Sequence, residues 1–278
     1  MFISGCMAGF YLSLACACSL STNSSPWFQT NAPGLIRMIS AIIFPFGLVM
    51  IILTGVDLCT GSFMFTTVSV LHRRLSPLKM LIHWTVTFLG NLAGSLFIVA
   101  LITGYGGTFA ADPYASEARA FATAKVITPA WHQIFLRGIG ANWLVCMACY
   151  LAMMSRELFS KVIAIWFPVF AFVCLAFDHV VANMFFVPTG IWVGTPGLTV
   201  GYYIWKSMIP ALIGNIIGGG LFVGVAFWYL YLTGEGGPIA IDGDIVGTDA
   251  QSIIGQQMRG SNERSESVVS KKDAGQMV

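Results

Sequence analysis

Phe177-Asp178-His179-Val180-Val181-Ala182-Asn183 decides the fold, because it sets an acid, an imidazole and an amide inside an apolar run that otherwise extends over residues 162–193. An earlier stretch, Asp57-Leu58-Cys59-Thr60-Gly61, separates the apolar residues 36–56 from 63–71 in the same way. Polar residues at such points break a helix. At membrane depth the break has to face protein or a water-lined cavity, since lipid offers the freed backbone no hydrogen-bond partner.

The rest of the chain has membrane composition. Of 278 residues, 56% are hydrophobic and 9% charged, with a mean hydropathy of +0.79, whereas a soluble domain carries about a quarter charged residues. Apolar segments cover residues 2–20, 36–56, 63–71, 80–103, 134–154, 162–177, 180–193 and 207–233. Joining the broken pairs gives about six crossings of roughly 20 residues each. The predicted fold is therefore an all-α membrane protein with six transmembrane helices, the second and fifth of them broken. Residues 1–233 form this transmembrane domain, and residues 234–278 read as a polar, disordered tail. The apolar stretch after Met1 has no positive segment before it, so it reads as the first membrane helix rather than a secretory leader. So abrupt a start is also compatible with a missing N-terminal portion.

Charge sets the expected orientation. Arg73, Arg74, Lys79, Arg156, Lys161 and the tail's Arg259, Arg264, Lys271 and Lys272 fall on one side. Arg37, Arg119, Lys125, Arg137 and Lys206, partly offset by Asp112 and Glu117, fall on the other. This bias predicts a multi-pass plasma-membrane protein with both termini in the cytoplasm. A net charge of +2 points to no nucleic-acid partner. The seven cysteines lie in or beside apolar runs, and Cys146 and Cys149 have no second pair, so buried inert thiols are expected and no metal or cofactor. Four scattered histidines offer no facing pair for haem, which argues against a membrane redox enzyme.

Short patterns recur in order along the chain. Gly90-Asn91-Leu92-Ala93-Gly94 returns as Gly214-Asn215-Ile216-Ile217-Gly218, and Gly5-Cys6-Met7-Ala8-Gly9 compares with Gly138-Ile139-Gly140-Ala141-Asn142. The two breaks make a third pair, and the offsets are all roughly 120 to 135 residues. A duplicated unit of three crossings inserts its second copy with opposite topology, so two inverted three-helix repeats are expected.

Two half-helices starting at such breaks can direct N-terminal amides and a partial positive charge at one point, which favours a small anion. His179, alone of the histidines, interrupts an apolar helix, and it can donate to an anion and exchange a proton; the alternative is a helix-packing donor. Asp57 and Asp178 are expected to support the breaks, because a bare carboxylate would repel an anion. Asn91, Asn142, Asn183 and Asn215 are either pore-lining or interhelical glue. Phe44, Leu48 and Phe172, just before the breaks, are either packing residues or hydrophobic constrictions.

These residues resemble the formate/nitrite transporter family, and its fungal nitrite-transporter branch in particular. The resemblance is carried by the two breaks with their flanks, by Phe44-Pro45-Phe46-Gly47-Leu48, by Gly90-Asn91-Leu92-Ala93-Gly94, by Arg137-Gly138-Ile139-Gly140-Ala141-Asn142-Trp143 and by Gly214-Asn215-Ile216-Ile217-Gly218-Gly219. It implies an aquaporin-like protomer with its own pore, assembled as a homopentamer in the bilayer. It also implies a central histidine with a threonine from the opposite break (His179 and Thr60), and a lysine ahead of the fourth helix (Lys125). Apolar rings at Phe44, Leu48 and Phe172 and polar positions at Asp57, Asn91, Asn142, Asn183 and Asn215 complete the set. Cys59 departs from the bacterial members, which often carry phenylalanine there. The implied activity is proton-linked transport of a small monovalent anion, nitrite first and formate second. The rival reading is a channel for a neutral solute such as water or ammonia.

Overall fold

The structure, a computed structural model, describes residues 1–233. Among these the chain is mostly helical, and its principal helices are α1 (Phe2–Asn23), α2 (Pro33–Thr54), α3 (Cys59–Leu71), α4 (Pro77–Tyr105), α5 (Tyr114–Ala122), α6 (Trp131–Met154), α7 (Leu158–Cys174), α8 (Val180–Trp192) and α9 (Val200–Leu232), with a short helix Pro26–Asn31 between the first two. Helices α1, α2, α4, α6 and α9 are each long and apolar enough to cross a membrane. The pairs α2/α3 and α7/α8 are single paths interrupted midway, which gives the six-path arrangement expected from the sequence. Residues 1–231 form one compact unit. The polar tail expected over residues 234–278 lies outside the described residues.

Polarity is inverted relative to a soluble protein. Thr60, Asn91, Asn142, Asp178, His179, Asn183, Ser207 and Asn215 are buried, while Leu81, Leu89, Leu101, Leu136 and Leu221 are exposed. Lipid tolerates the apolar exterior and could not solvate the polar groups, so these are held in the protein interior.

Close helix contact is made possible by glycine. A Cβ on Gly5 would stand 3.0 Å from the Thr87 carbonyl and 3.2 Å from the Gly90 Cα, which joins α1 to α4. A Cβ on Gly138 would stand 3.1 Å from the Ala211 carbonyl and 3.3 Å from the Gly214 Cα, joining α6 to α9 in the same manner. With no side chain between them the backbones approach closely, the usual basis of helix association in membranes.

The breaks are also built alike. The first half-helix ends at Gly55, with φ +71°, and the second at Ala176, with φ +54°. Left-handed backbone is easy for glycine and unfavourable for alanine, so the second break carries strain that the first does not. Leu58 (φ −92°, ψ 116°) and His179 (φ −99°, ψ 122°) then start the next half-helices in extended conformation.

Candidate functional site

The two breaks meet at His179 and Thr60, whose Nε2 and Oγ1 lie 2.8 Å apart. His179 is the residue before α8, and its Nδ1 accepts the Ala182 amide at 3.2 Å. A neutral imidazole has one donor and one acceptor nitrogen. Since Nδ1 accepts, the proton sits on Nε2, which donates to Thr60 Oγ1. The Thr60 carbonyl is occupied by Asn142 Nδ2 at 3.0 Å and the Cys146 thiol at 3.5 Å. The Thr60 hydroxyl hydrogen is thus the group available to a solute at the meeting point.

Each break is pinned by one asparagine through an identical set of bonds. Asn91 Oδ1 accepts the Cys59 amide at 2.9 Å, while its Nδ2 donates to the carbonyls of Gly5 (2.8 Å) and Asp57 (2.9 Å). Asn215 Oδ1 accepts the Val180 amide at 2.8 Å, and its Nδ2 donates to Gly138 (2.8 Å) and Asp178 (3.1 Å). One side chain therefore ties the opening amide of a half-helix to its own break and to a neighbouring helix. The first amides of α3 and α8 are consumed by these bonds. Asn142 bridges the halves, donating to Thr60 and, at 2.7 Å, to the Asn215 carbonyl.

Exchange of Asn91 or Asn215 for leucine takes the partner from the buried opening amide of a half-helix and from the Asp57 or Asp178 carbonyl of its break, at about 1–3 kcal/mol for each unsatisfied group. Both N91L and N215L are expected to lower the thermal midpoint of the detergent-solubilised protein by similar amounts. A wild-type melting profile for either would refute this role.

The acids behave differently in the two halves. Asp178 is buried, and its Oδ1 receives Lys125 Nζ at 3.1 Å and Asn183 Nδ2 at 3.3 Å. Lys125, carried by a wide turn at Thr123–Ile127, also donates to the carbonyls of Ala176 (3.0 Å) and Phe177 (2.8 Å). It therefore neutralises the acid and caps the strained end of α7 together. Asp57 instead faces His83 Nε2 at 3.4 Å and accepts Ser62 Oγ at 3.0 Å.

A cavity of about 300 Å³ lies on one side of the meeting point, lined by Arg37, Phe44, Glu117, Lys125, Arg137 and Phe172 among others. A second, of about 290 Å³, is lined by Leu48, Asp57, Leu58, Ser62 and Cys149. They engage opposite ends of α2 and of α6, so one vestibule opens at each end of the bundle. Phe44 and Phe172 pack edge to face with ring centroids 5.5 Å apart, and Phe172 lies 6.1 Å from the His179 ring. Leu48 faces the other vestibule.

The sequence reading named His179, Thr60, the four asparagines, Lys125 and both acids, and the structure gathers all of them around the two breaks. It passed over Leu58, which is the counterpart of His179 at an offset of 121 residues and lines the second vestibule. That offset was the available signal, and an apolar residue gave no reason to use it. His83, the partner of Asp57, was likewise passed over. Cys59 is wholly buried and is not among the residues lining the second vestibule.

Comparison with known proteins adds four findings. A family model described as formate/nitrite transporter matches residues 1–229. The chain is 37% identical over 212 residues to a "Probable formate transporter" of Methanothermobacter thermautotrophicus, covering 72% of this chain and 77% of that one. It is 31% identical over 250 residues to the "Formate channel FocA" of Haemophilus influenzae, covering 84% and 87%. Among solved structures it is similar to a "Pentameric formate channel with formate bound", with a TM-score of 0.73, 28% identity, and coverage of 83% of this chain and 96% of that one.

Proposed function

The chain belongs to the formate/nitrite transporter family, and from that premise we propose that it carries a small monovalent anion, nitrite foremost, between its two vestibules past Thr60 and His179. The observation that carries this reading is the 2.8 Å Thr60–His179 bond at the meeting of the two breaks. It supplies hydrogen-bond donors where a charge would otherwise be stranded, at an idealised cost on the order of tens of kcal/mol. Phe44 and Phe172 on one side and Leu48 and Leu58 on the other form apolar rings that strip bulk water from the solute. Asn91, Asn215, Asn142, Asn183, Asp57, Asp178 and Lys125 keep the breaks in place, so that the donors are preorganised. The duplicated asparagine bonds support two inverted three-helix repeats.

The formate channels among the relatives favour formate as the second reading of the cargo. One of the solved relatives is titled a pentamer, which supports a homopentamer here. The charge bias supports a plasma-membrane orientation with both termini cytoplasmic.

Proton linkage through His179 would require Nδ1 to release the Ala182 amide and take up a proton. Uptake of labelled nitrite and of labelled formate into proteoliposomes, each in competition with the other at pH 6 and pH 8, tests cargo and coupling together. Nitrite is expected to be taken up with the higher kcat/KM, accompanied by alkalinisation of the outer medium. Preferred formate uptake would establish the second reading. Fast water flux with no flux of either anion would overturn both.

A further inference from the structure

The vestibule lined by Arg37, Lys125 and Arg137 contains one acid among its lining residues, Glu117. An anion entering this cavity meets it before the Phe44–Phe172 ring. Lys125 is committed to Asp178 and two carbonyls, so Arg37 and Arg137 are the cations left to attract the solute. Neither they nor Glu117 form an ion pair among the described residues. The contact recorded for the Glu117 carboxyl is the Gln29 amide, donating to Oε1 at 3.4 Å.

Polar and apolar residues of several elements share the cavity with Glu117. Helix α5 packs on α1, on α8 and on the turn that carries Lys125. From α1 come Ser19 and Asn23, from α8 Ala182, Asn183 and Phe186, from α2 Arg37, and from α6 Arg137. His179 and Asp178 lie beyond, at the head of α8, and Arg119 and Asp112 pair with one another at 3.5 Å. Half-burial with no cation in ion-pair contact disfavours the ionised carboxylate and pushes the Glu117 carboxyl up to about 7. Glu117 lies outside the membrane-spanning helices.

We propose that Glu117 determines how readily the vestibule accepts its anion: as a neutral acid it is a hydrogen-bond donor beside Arg37 and Arg137, and as a carboxylate it cancels part of their attraction. The proposal rests on the anion-transport reading above and assigns an entry residue distinct from Thr60 and His179. The effect falls on KM, because a charge in the vestibule alters local anion concentration without touching the midplane.

The test is uptake of nitrite and formate in proteoliposomes at clamped voltage with equal pH on both sides, stepped from pH 6 to 8.5. In the wild type KM is expected to rise by roughly three- to tenfold across this range, given the size of charge effects in a partly solvated cavity. In Glu117→Gln KM is expected to stay near its acid-side value throughout. A Glu117→Gln protein with the full wild-type rise overturns the proposal. Should that variant fail to fold, the wild type itself decides, since half-molar impermeant salt, with a Debye length of a few Å, must flatten the rise. A rise insensitive to salt overturns the proposal. Anion flux with a pH-independent KM sinks the Glu117 role alone, whereas absence of anion flux at every pH sinks the transport reading and this role with it.

Discussion

Replacing His179 by leucine is expected to reduce anion uptake by at least a hundredfold while leaving the protein folded. The imidazole makes two bonds, and they have separable consequences. Its Nδ1 accepts the Ala182 amide, a helix N-cap whose loss costs about 1 kcal/mol, which a protein of this burial tolerates. Its Nε2 proton holds Thr60 Oγ1 at 2.8 Å. Hydrogen bonds to a charged group contribute about 1.5–3 kcal/mol each, and each 1.4 kcal/mol is a factor of ten in rate. Loss of the imidazole removes the bond that orients the Thr60 hydroxyl and, where an anion draws the Nε2 proton away from Thr60, a second donor at the meeting point of the breaks. His179→Asn separates the roles, because its Oδ1 can cap α8 as an asparagine does elsewhere while its shorter side chain falls away from Thr60. It is expected to recover thermal stability and not flux. Wild-type nitrite and formate uptake by His179→Leu, measured in proteoliposomes under a fixed voltage, would remove His179 from the mechanism.

Much of this site is legible in the sequence, and the reasons for the remainder are physical. The breaks announced themselves because Asp57 and Asp178 are costly in an apolar run. Their bounds were read a few residues late. The interruptions run from Thr54 to Cys59 and from Cys174 to Val180, so that Cys59–Gly61 and Val180–Ala182 are already first turns of half-helices, a boundary that composition does not mark. The asparagines stand out by recurrence, but only the fold shows that Asn91 and Asn215 spend both amide hydrogens and the carbonyl oxygen on backbone groups. Residues 104–131 fall between the apolar segments 80–103 and 134–154, yet they contain α5 and the Lys125 turn. The Tyr114–Ala122 helix buries Ala115, Ala118 and Ala122 at helical spacing and packs against α8, but its overall apolarity is too low to stand out as a membrane segment. The gathering of Arg37, Glu117 and Arg137 in one vestibule has no trace in local sequence, since these residues come from three distant elements.

Gly94→Ala and Gly218→Ala are expected to have the largest effect on assembly of any small substitution. A Cβ on Gly94 would overlap the Cys6 carbonyl oxygen and stand 2.9 Å from its carbon, and one on Gly218 would overlap the Ile139 carbonyl oxygen and stand 3.0 Å from the Trp143 amide. The obstructing atoms are backbone, so no rotamer change relieves them, and α1 must move off α4, or α6 off α9. Overpacking of this kind costs about 1–3 kcal/mol and sometimes more. Here the displacement has a second consequence. Asn91 lies one turn from Gly94 and reaches the Gly5 carbonyl across the same helix contact at 2.8 Å, and Asn215 reaches Gly138 likewise at 2.8 Å. Separating the helices by even an ångström stretches these bonds beyond useful length and frees the opening amides of α3 and α8. Close packing at Gly94 and Gly218 is thus coupled to the position of Thr60 and His179. The comparison is Gly201→Ala in α9, where an added Cβ meets nothing within 4 Å and helix propensity predicts a neutral or slightly stabilising change. In detergent, Gly94→Ala and Gly218→Ala are expected to give little monodisperse protein and, in what survives, a lowered thermal midpoint and lost uptake. If both melt and transport like Gly201→Ala, the helix contacts do not set the breaks, and the link drawn from glycine packing to the site is wrong.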